Sequence, residues 1–119
     1  MLPRGLRIYV ALEPVNMQLS FDRLAGLVRE RLEQEPRTGA TVVVFHNRRR
    51  THIKLLWHDR SGYCLLYKRL DRGTFRIPLP AKPGVTSVQV SRREVMLLLE
   101  GIDRELLRRA RRRMAKRAA

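Results

Sequence analysis

The sequence contains one cysteine and has no long apolar segment. Cys64 cannot form an internal disulfide, and a single thiol argues against a structural zinc site. The longest apolar runs, residues 42–45 and 95–99, are far too short to span a bilayer. The first residues also lack the apolar segment that follows the basic start of a signal peptide. We therefore expect a soluble, cytoplasmic protein that has no membrane partner and carries Cys64 as a small buried residue.

Acidic residues are few, with 11 Asp and Glu among 119 residues, and they are scattered along the chain. A two-metal nuclease or transposase site needs carboxylates that converge on a metal pair roughly 4 Å across. The sequence has no phosphate-binding P-loop and no GxGxxG motif. We therefore expect no catalytic residue, no metal, no cofactor and no enzyme activity.

Three evenly spaced histidines, His46, His52 and His58, are the strongest hint of a metal site. If His52 and His58 lie on one strand, six residues separate them by roughly 20 Å, which exceeds one ion's coordination sphere. We interpret all three as surface or half-buried histidines.

Basic residues dominate the composition, since 26 Lys and Arg give a formal net charge of +15 and a pI near 11.6. Nucleic acid is the commonest anionic partner of a small basic protein, and an anionic membrane surface is the alternative. The charge is spread along the chain. Residues 1–78 hold 15 basic and 7 acidic residues, net +8, and residues 79–119 hold 11 and 4, net +7.

The first half of the chain alternates strand and helix signals. Residues 6–12 are rich in β-formers and predict a strand. Ser20 is placed to cap a helix over about residues 21–33, whose apolar positions fall on one face. Residues 41–45 predict a short apolar strand in the centre of a sheet.

A β-hairpin is predicted over residues 52–70. If Asp59 pairs with Tyr63, Lys54 lies opposite Lys68 on the face away from the core. Two facing lysines repel unless an anion or a carboxylate lies between them. This register would therefore present both lysines to a phosphate, although a shift of one residue would turn each side chain to the other face.

The C-terminal third begins with a proline-rich stretch over residues 79–91 and ends in a basic helix. Ser91 and Glu94 have the spacing of a capping box, so a helix is predicted from residue 92. Apolar residues recur at spacings of three and four over residues 95–114, and the stripe keeps its phase across Gly101. This favours one long helix over two.

Together these patterns predict an α+β fold with a small, mostly antiparallel sheet of four or five strands, one packed helix and a C-terminal helical arm. Residues 74–77 are the candidate for a further short strand. The predicted division is an α+β core domain over residues 1–78, a linker over residues 79–91 and a basic helical arm over residues 92–119.

Two basic clusters are candidate phosphate contacts. The first cluster is the three adjacent arginines at residues 48–50. Their guanidiniums repel one another on a tight turn, and a polyanion would relieve that repulsion; the alternative is an ordinary solvated turn. The basic run at residues 108–113 is either part of a disordered tail or the solvent-exposed end of a docked helix. The apolar stripe over residues 95–114 favours the helix. Trp57, Tyr63 and Tyr67 alternate as core residues do, which favours packing over base stacking. The candidate nucleic-acid contacts are Arg48, Arg49, Arg50, Lys54, Lys68, Arg108, Arg109, Arg111, Arg112 and Arg113, and the candidate partner-binding residues are Val95, Leu99, Ile102, Leu106 and Met114.

A series of ordered motifs resembles a known protein family. The motifs are NM at 16–17, SFDxLAxLV at 20–28, VFxNRR at 44–49, IKLLW at 53–57, GYCL at 62–65, YKRLxxGxF at 67–75 and LLLEGID at 97–103. Over about residues 10–103 the chain resembles the accessory protein encoded by the second open reading frame of insertion-sequence family 66 elements, often labelled TnpB. That family usually has Asp-Met-Arg where this chain has Asn16-Met17-Gln18.

The resemblance implies an accessory role in transposition, beside a separate, larger transposase that carries the catalytic carboxylates. We therefore predict a non-catalytic accessory protein that contacts the DNA backbone through its basic surface. The alternative is an interaction module that docks on the transposase, or forms a homodimer, through its C-terminal helix. An RNA-binding module or a small nuclease is the third hypothesis.

Overall fold

A computed structural model describes residues 5–102 and 104–118, except for the side chains of residues 104–107, 117 and 118. The strands in these parts of the chain are β1 (Arg7–Ala11), β2 (Thr41–His46), β3 (His52–His58), β4 (Tyr63–Arg69) and β5 (Ser87–Val90). The helices there are α1 (Phe21–Leu32), α2 (Arg92–Glu100) and α3 (Arg104–Ala118), with a short 3-10 turn at Pro36–Thr38. None of these helices is long and apolar enough to cross a membrane.

The five strands form one sheet in the order β4-β3-β2-β1-β5. β1 and β2 are parallel, and every other neighbouring pair is antiparallel. β2 lies in the middle, with all six of its residues buried. Three valines followed by Phe45 suit this place, because a strand covered on both faces needs apolar side chains at every position. The predicted α+β fold, the mostly antiparallel sheet and the central strand are confirmed.

Helices cover both faces of the sheet. On one face, α1 contributes buried apolar residues at helical spacing: Leu24, Ala25, Val28 and Leu32. On the other face, the covering side chains come from an extended segment and from α2: Phe75, Ile77, Val95 and Leu98. The fold therefore has one more packed helix than we predicted. The capping box that starts α2 is confirmed, since Ser91 Oγ accepts from the Glu94 N–H over 3.1 Å and Glu94 Oε1 accepts from the Ser91 N–H over 3.0 Å.

The start of α1 matches the prediction, but its cap does not. Ser20 occupies the N-cap with an extended backbone, yet its side chain makes no capping hydrogen bond. Its carbonyl oxygen accepts from the Leu24 N–H over 2.9 Å. The helix ends after Leu32 because Glu33 turns into the left-handed region, with φ of 54°.

The predicted register of the hairpin was wrong by one residue. Tyr63 pairs with His58, so Lys54 lies opposite Tyr67 and Lys68 lies opposite Ile53. The reason is the turn: Asp59 Oδ1 accepts from the Ser61 and Gly62 N–H groups over 2.9 and 3.0 Å, which keeps Asp59 out of the strand. Because side chains alternate along a strand, Lys54 and Lys68 lie on opposite faces of the sheet.

The prediction of one long C-terminal helix was also wrong. α2 ends at Glu100 because Gly101 adopts φ of 72° and ψ of 178°, a conformation essentially restricted to glycine. Ile102 then pairs with Thr74, with N–H to carbonyl distances of 2.8 and 3.0 Å in the two directions. Apart from this isolated bridge at Thr74, residues 74–77 do not form the short strand that was predicted there.

The stretch predicted as a linker differs from that description at its C-terminal end. Ser87–Val90 form β5, which pairs with β1 at the edge of the sheet. The four-residue strand follows several prolines and is too short to show a periodic pattern, so only its pairing with the distant β1 identifies it.

Candidate nucleic-acid interface

The turn between β2 and β3 is built around the side chain of Asn47. Its Oδ1 accepts from the N–H groups of Thr51 and His52 over 2.9 and 3.0 Å. Its Nδ2 donates to Thr51 Oγ1 over 3.0 Å and lies 3.2 Å from His52 Nδ1. The Arg50 N–H donates to the Asn47 carbonyl oxygen over 3.0 Å, which closes the turn. One amide side chain therefore fixes the backbone that presents three exposed arginines.

The backbone of Arg50 separates the three arginines into two groups. Arg50 has φ of 60°, one of two positive φ values among the non-glycine residues of the described chain. The left-handed backbone at Arg50 redirects the chain, and Arg50 faces different surroundings from the two arginines before it. Arg48 and Arg49 border one cavity, and Arg50 borders another.

Arg50 lines a cavity of about 350 Å³ together with three further arginines, and we call this the arginine cavity. Its guanidiniums come from the turn, from the extended segment after β4 and from α3. The lining residues are Arg50, Thr74, Phe75, Arg76, Ile77, Ile102, Arg108 and Arg111. One arginine of the turn, Arg50, and two of the C-terminal run, Arg108 and Arg111, therefore border the same cavity.

Backbone hydrogen bonds assemble the arginine cavity. The Phe75 N–H donates to the Arg50 carbonyl oxygen over 2.7 Å, and the pairing of Thr74 with Ile102 brings the start of α3 to the same place. Phe75 and Ile77 are buried, so Arg76 between them is exposed. Arg108 and Arg111 are three residues apart on α3 and hence lie on the same face of that helix.

No acidic side chain is among the described residues that line the arginine cavity. Two ion pairs lie away from this cavity: Arg29 with Glu35 at 3.1 Å and Arg31 with Glu13 at 3.5 Å. Arginine guanidiniums present donors in a planar fork that matches phosphate oxygens. A phosphate is therefore a chemically suitable occupant of this cavity.

The remaining basic residues of the C-terminal run are exposed on α3 outside the lining of the arginine cavity. These are Arg109, Arg112 and Arg113. They add positive potential along the helix that carries Arg108 and Arg111, and this potential attracts a polyanion without fixing a contact.

The second cavity, which we call the tyrosine cavity, is open and has a volume of about 330 Å³. It lies on the other side of the turn and combines guanidinium, amide, imidazole and phenol groups. Its lining residues are Val15, Asn16, Met17, Asn47, Arg48, Arg49, His52 and Tyr67. The alternation of aromatic residues predicted Tyr67 as part of the core, but it is exposed at 53% of its surface.

Lys54 is buried, with 6% of its surface exposed. Its Nζ donates to the carbonyl oxygens of Met17 and Leu19 over 2.5 and 2.8 Å. It also lies 4.8 Å from the centroid of the Tyr67 ring. Burial lowers the pKa of the Lys54 ammonium group. These contacts give Lys54 an internal role, in which it joins β3 to the loop before α1, and we leave it out of the proposed interface.

Lys68 is half-buried on the opposite face of the sheet. Its Nζ donates to the Leu99 carbonyl oxygen over 2.6 Å. A cation in the last turn of a helix stabilises the carbonyl groups that lack partners within the helix. Lys68 therefore supports the C-terminal end of α2, and the two lysines cannot share a phosphate.

The predicted partner-binding stripe is divided between core and surface. Val95 is fully buried in the core, and Leu99 and Ile102 are half-buried. Met114 is exposed at 69% of its surface. The Leu106 side chain lies outside those that the structure describes. The stripe fails as a single surface because α2 and α3 are separate helices.

Other apolar side chains are exposed in its place. Leu79 and Leu97 expose 77% and 60% of their surfaces and line a groove of about 830 Å³, which we call the apolar groove. Arg50, Arg76, Glu94 and Glu100 are among its charged lining residues. This groove adjoins the arginine cavity, since Arg50 and Arg76 line both.

Within residues 5–102 and 104–118, no three His, Cys, Asp or Glu side chains come close enough to hold a metal ion. His52 and His58 are half-buried, as predicted, but His46 is fully buried rather than at the surface or half-buried. The ring nitrogens of His46 lie 3.1 and 3.2 Å from the carbonyl oxygens of Asn47 and Leu12. Cys64 is half-buried. Burial, and then the neighbouring Asp59, raise the pKa of the Cys64 thiol.

Sequence reasoning missed Arg76 and the organising role of Asn47. The alternation of Phe75, Arg76 and Ile77 was available as a signal, because a polar residue between two apolar residues in an extended segment faces away from the core. Asn47 was visible as a turn residue. Its four side-chain contacts, in contrast, depend on the conformation of the whole turn.

A family model described as IS66 Orf2-like protein matches residues 6–109, which include every strand, α1, α2 and the first turn of α3. Two proteins of Sinorhizobium fredii (strain NBRC 101917 / NGR234) are similar to the chain. Uncharacterized protein y4hO is 38% identical over 105 residues, covering 87% of this chain and 88% of that protein. Uncharacterized protein y4jC is 36% identical over 100 residues, covering 84% and 82%. No solved structure matches the chain.

Proposed function

This chain belongs to the IS66 Orf2-like family, as the sequence motifs predicted, and from that premise we propose that it is a non-catalytic accessory factor that binds DNA during transposition. Membership of the family implies involvement in IS66 transposition. In our proposal a separate transposase supplies the catalytic carboxylates, and this chain holds the DNA backbone. The observation that carries the proposal is the arginine cavity.

The arginine cavity concentrates positive charge. Four guanidiniums from three segments line one cavity of about 350 Å³. The positive charges of Arg50, Arg76 and Arg111 repel one another, and backbone hydrogen bonds between their segments limit how far they separate. A phosphate with two or more acceptor oxygens converts this repulsion into charge-assisted hydrogen bonds. A DNA strand carries its phosphates in a row, and further phosphates along it would be attracted to the exposed Arg112 and Arg113 of α3.

Contacts of this kind position a protein on DNA but do not read the sequence, because the phosphates are the same at every base pair. We therefore expect weak sequence preference. The transposase, or another partner at the ends of the element, would provide the specificity.

The test measures binding of purified protein to a fluorescein-labelled duplex by anisotropy over a range of salt concentrations. Affinity should fall steeply with salt, with a slope of about −0.9 in log K against log salt for each phosphate neutralised. A double variant, Arg76→Gln with Arg111→Gln, should weaken binding and reduce the magnitude of the slope by up to about 1.8.

The matched control is Arg23→Gln with Arg60→Gln, which removes the same charge from exposed arginines that line neither cavity. Arg60 lies in the β3–β4 turn, at the end of the sheet opposite to residues 47–51. If both double variants lose affinity equally, the charge acts without a defined site. Duplex binding that hardly changes with salt would refute the proposal altogether.

The second candidate function is docking on the transposase, and the apolar groove with its exposed Leu79 and Leu97 favours it. Exposed leucines beside a groove favour association, because a partner that covers them removes apolar surface from water. Sedimentation of the protein alone and mixed with transposase tests this candidate. Leu79→Ser with Leu97→Ser should abolish the mixed complex, whereas deletion of residues 104–119 should preserve it. A complex that survives the double substitution would exclude the groove, and a concentration-dependent dimer of the protein alone would identify a second copy as the occupant.

A further inference from the structure

The tyrosine cavity differs from the arginine cavity in its chemistry. It has two arginines, two amide side chains and one exposed aromatic ring, on an open surface of about 330 Å³. Proteins that bind single-stranded nucleic acid combine a positive surface for the backbone with aromatic rings on which bases stack. The described residues bring these two features together at this cavity.

The ring of Tyr67 is held in place. On one side of it, Lys54 Nζ lies 4.8 Å from the ring centroid, and the carbonyl oxygens of Met17 and Leu19 fix that ammonium group. The His52 ring lies beside it at 5.9 Å between centroids, tilted by 48°. Because these contacts restrain the ring and 53% of the Tyr67 surface is exposed, Tyr67 loses little conformational entropy when a planar group stacks against it.

Polar side chains line the same cavity as the ring. Asn16 Oδ1 accepts from the Gln18 N–H over 2.8 Å, which holds the Asn16 amide at the wall of the cavity. Arg48 and Arg49 lie on the fixed turn at another part of the lining. A base has a flat face that stacks on the ring, and donors and acceptors at its edge that pair with the amide. The backbone phosphates on either side of that base suit the two guanidiniums.

We propose that the tyrosine cavity binds an unpaired base of single-stranded DNA, stacked on Tyr67, with the adjacent phosphates at Arg48 and Arg49. The proposal rests on the proposed function, because it assigns the DNA strand a second contact beside the arginine cavity. A paired base cannot occupy this site, since stacking covers both its faces within the duplex and pairing uses its edge. Single-stranded DNA is therefore the form that the cavity recognises.

The test compares one labelled oligonucleotide as a single strand and as a duplex, at equal salt, with the full chain and two variants. Tyr67→Leu removes the ring and keeps an apolar side chain, and we expect its Kd for the single strand to rise roughly tenfold. Its Kd for the duplex should stay within about twofold of the unsubstituted protein. Tyr67→Phe keeps the ring and should bind the single strand as the unsubstituted protein does.

A second readout locates the base directly. An oligonucleotide that carries 5-bromouracil should crosslink to Tyr67 under ultraviolet light, and mass spectrometry of the peptides would identify the residue. Crosslinking should disappear in Tyr67→Leu while the protein still binds duplex DNA.

The outcomes separate this inference from the proposed function. If neither single strand nor duplex binds, both fail. If the duplex binds and Tyr67→Leu leaves single-strand binding unchanged, the inference fails and the proposed function stands. Equal losses in Tyr67→Leu and Tyr67→Phe would also overturn it, because the ring would then not be the contact. Tighter binding of the corresponding single-stranded RNA would overturn the assignment to DNA.

Discussion

The backbone N–H of Phe75 donates a hydrogen bond to the carbonyl oxygen of Arg50 over 2.7 Å. This bond joins the segment that carries Arg76 to the turn that carries Arg50, so that both guanidiniums line one cavity. Side chains on two unconnected segments would move apart under their mutual repulsion. Here the backbone holds them, and an anion that binds does not have to gather them first.

The break between α2 and α3 gives a first prediction. A Cβ atom on Gly101 would lie 2.6 Å from Leu70 Cδ1 and 3.3 Å from the Thr74 carbonyl oxygen, at a φ that L-residues rarely adopt. Gly101→Ala should lower the free energy of unfolding by about 1–3 kcal/mol. Urea denaturation followed by the fluorescence of the buried Trp57 measures it.

Gly26→Ala is the control for this substitution. Gly26 lies inside α1 with open space where a Cβ would be. Because alanine is the better helix former, this change should raise the free energy of unfolding by about 0.5–1 kcal/mol. Equal effects at the two glycines would contradict the conformation assigned to Gly101.

Asn47 gives a second prediction, on the turn. Asn47→Ala removes the acceptor for two backbone N–H groups, of Thr51 and His52, and should destabilise the fold by about 2 kcal/mol. Asn47→Asp keeps that acceptor but loses the Nδ2 donor to Thr51 Oγ1, so its loss should be smaller. Urea titrations of the two variants check the order. A larger loss for Asn47→Asp would show that the donor matters more than the acceptor.

The sequence predicts the fold where the determining interactions are local. The central strand follows from an unbroken apolar run, and the start of α2 follows from Ser91 and Glu94, three residues apart. The hairpin register was missed because Asp59 belongs to the turn rather than to β3, a difference that depends on one side chain. β5 was missed because its partner β1 is distant in sequence.

The candidate site is likewise predictable only where its residues are close together in the sequence. The three arginines of the turn stand next to one another in the sequence and are recognised at once. That Arg50 shares a cavity with Arg111 depends on the bridge between Thr74 and Ile102, which connects segments that no sequence pattern relates. The buried position of Lys54 was hidden for a similar reason, since its acceptors are carbonyl oxygens in the loop before α1.

A third prediction concerns pH and Lys54. Burial lowers the pKa of this group in the folded protein, so in the window between that pKa and the ordinary lysine value of about 10.4 the unfolded chain binds more protons. Stability contributed by Lys54 should therefore increase as pH rises through that window. The comparison is with Lys54→Met, which has no titrating group.

Urea denaturation of the two proteins at neutral pH and at about pH 10 measures this contribution. The unsubstituted protein should gain free energy of unfolding relative to Lys54→Met as the pH rises, because the neutral amine still donates to Met17 and Leu19 without the cost of burying a charge. Other titrating groups are common to both proteins and cancel in the difference. A difference that stays constant or shrinks would mean that the ammonium group is well solvated in the folded state.

The last prediction separates stability from binding at Arg50. Its φ of 60° is strained for a residue with a Cβ and comfortable for glycine. Arg50→Gly should therefore raise the free energy of unfolding by a few tenths to about 1 kcal/mol. The same change removes a guanidinium from the arginine cavity and should weaken duplex binding. Arg49→Gly is the matched control, since it removes the same charge from a neighbour without positive φ and should destabilise the fold by about 0.5–1 kcal/mol. If Arg50→Gly were more stable and bound DNA with unchanged affinity, the strained arginine would have no role in binding. The proposed interface would then lose one of its four lining arginines.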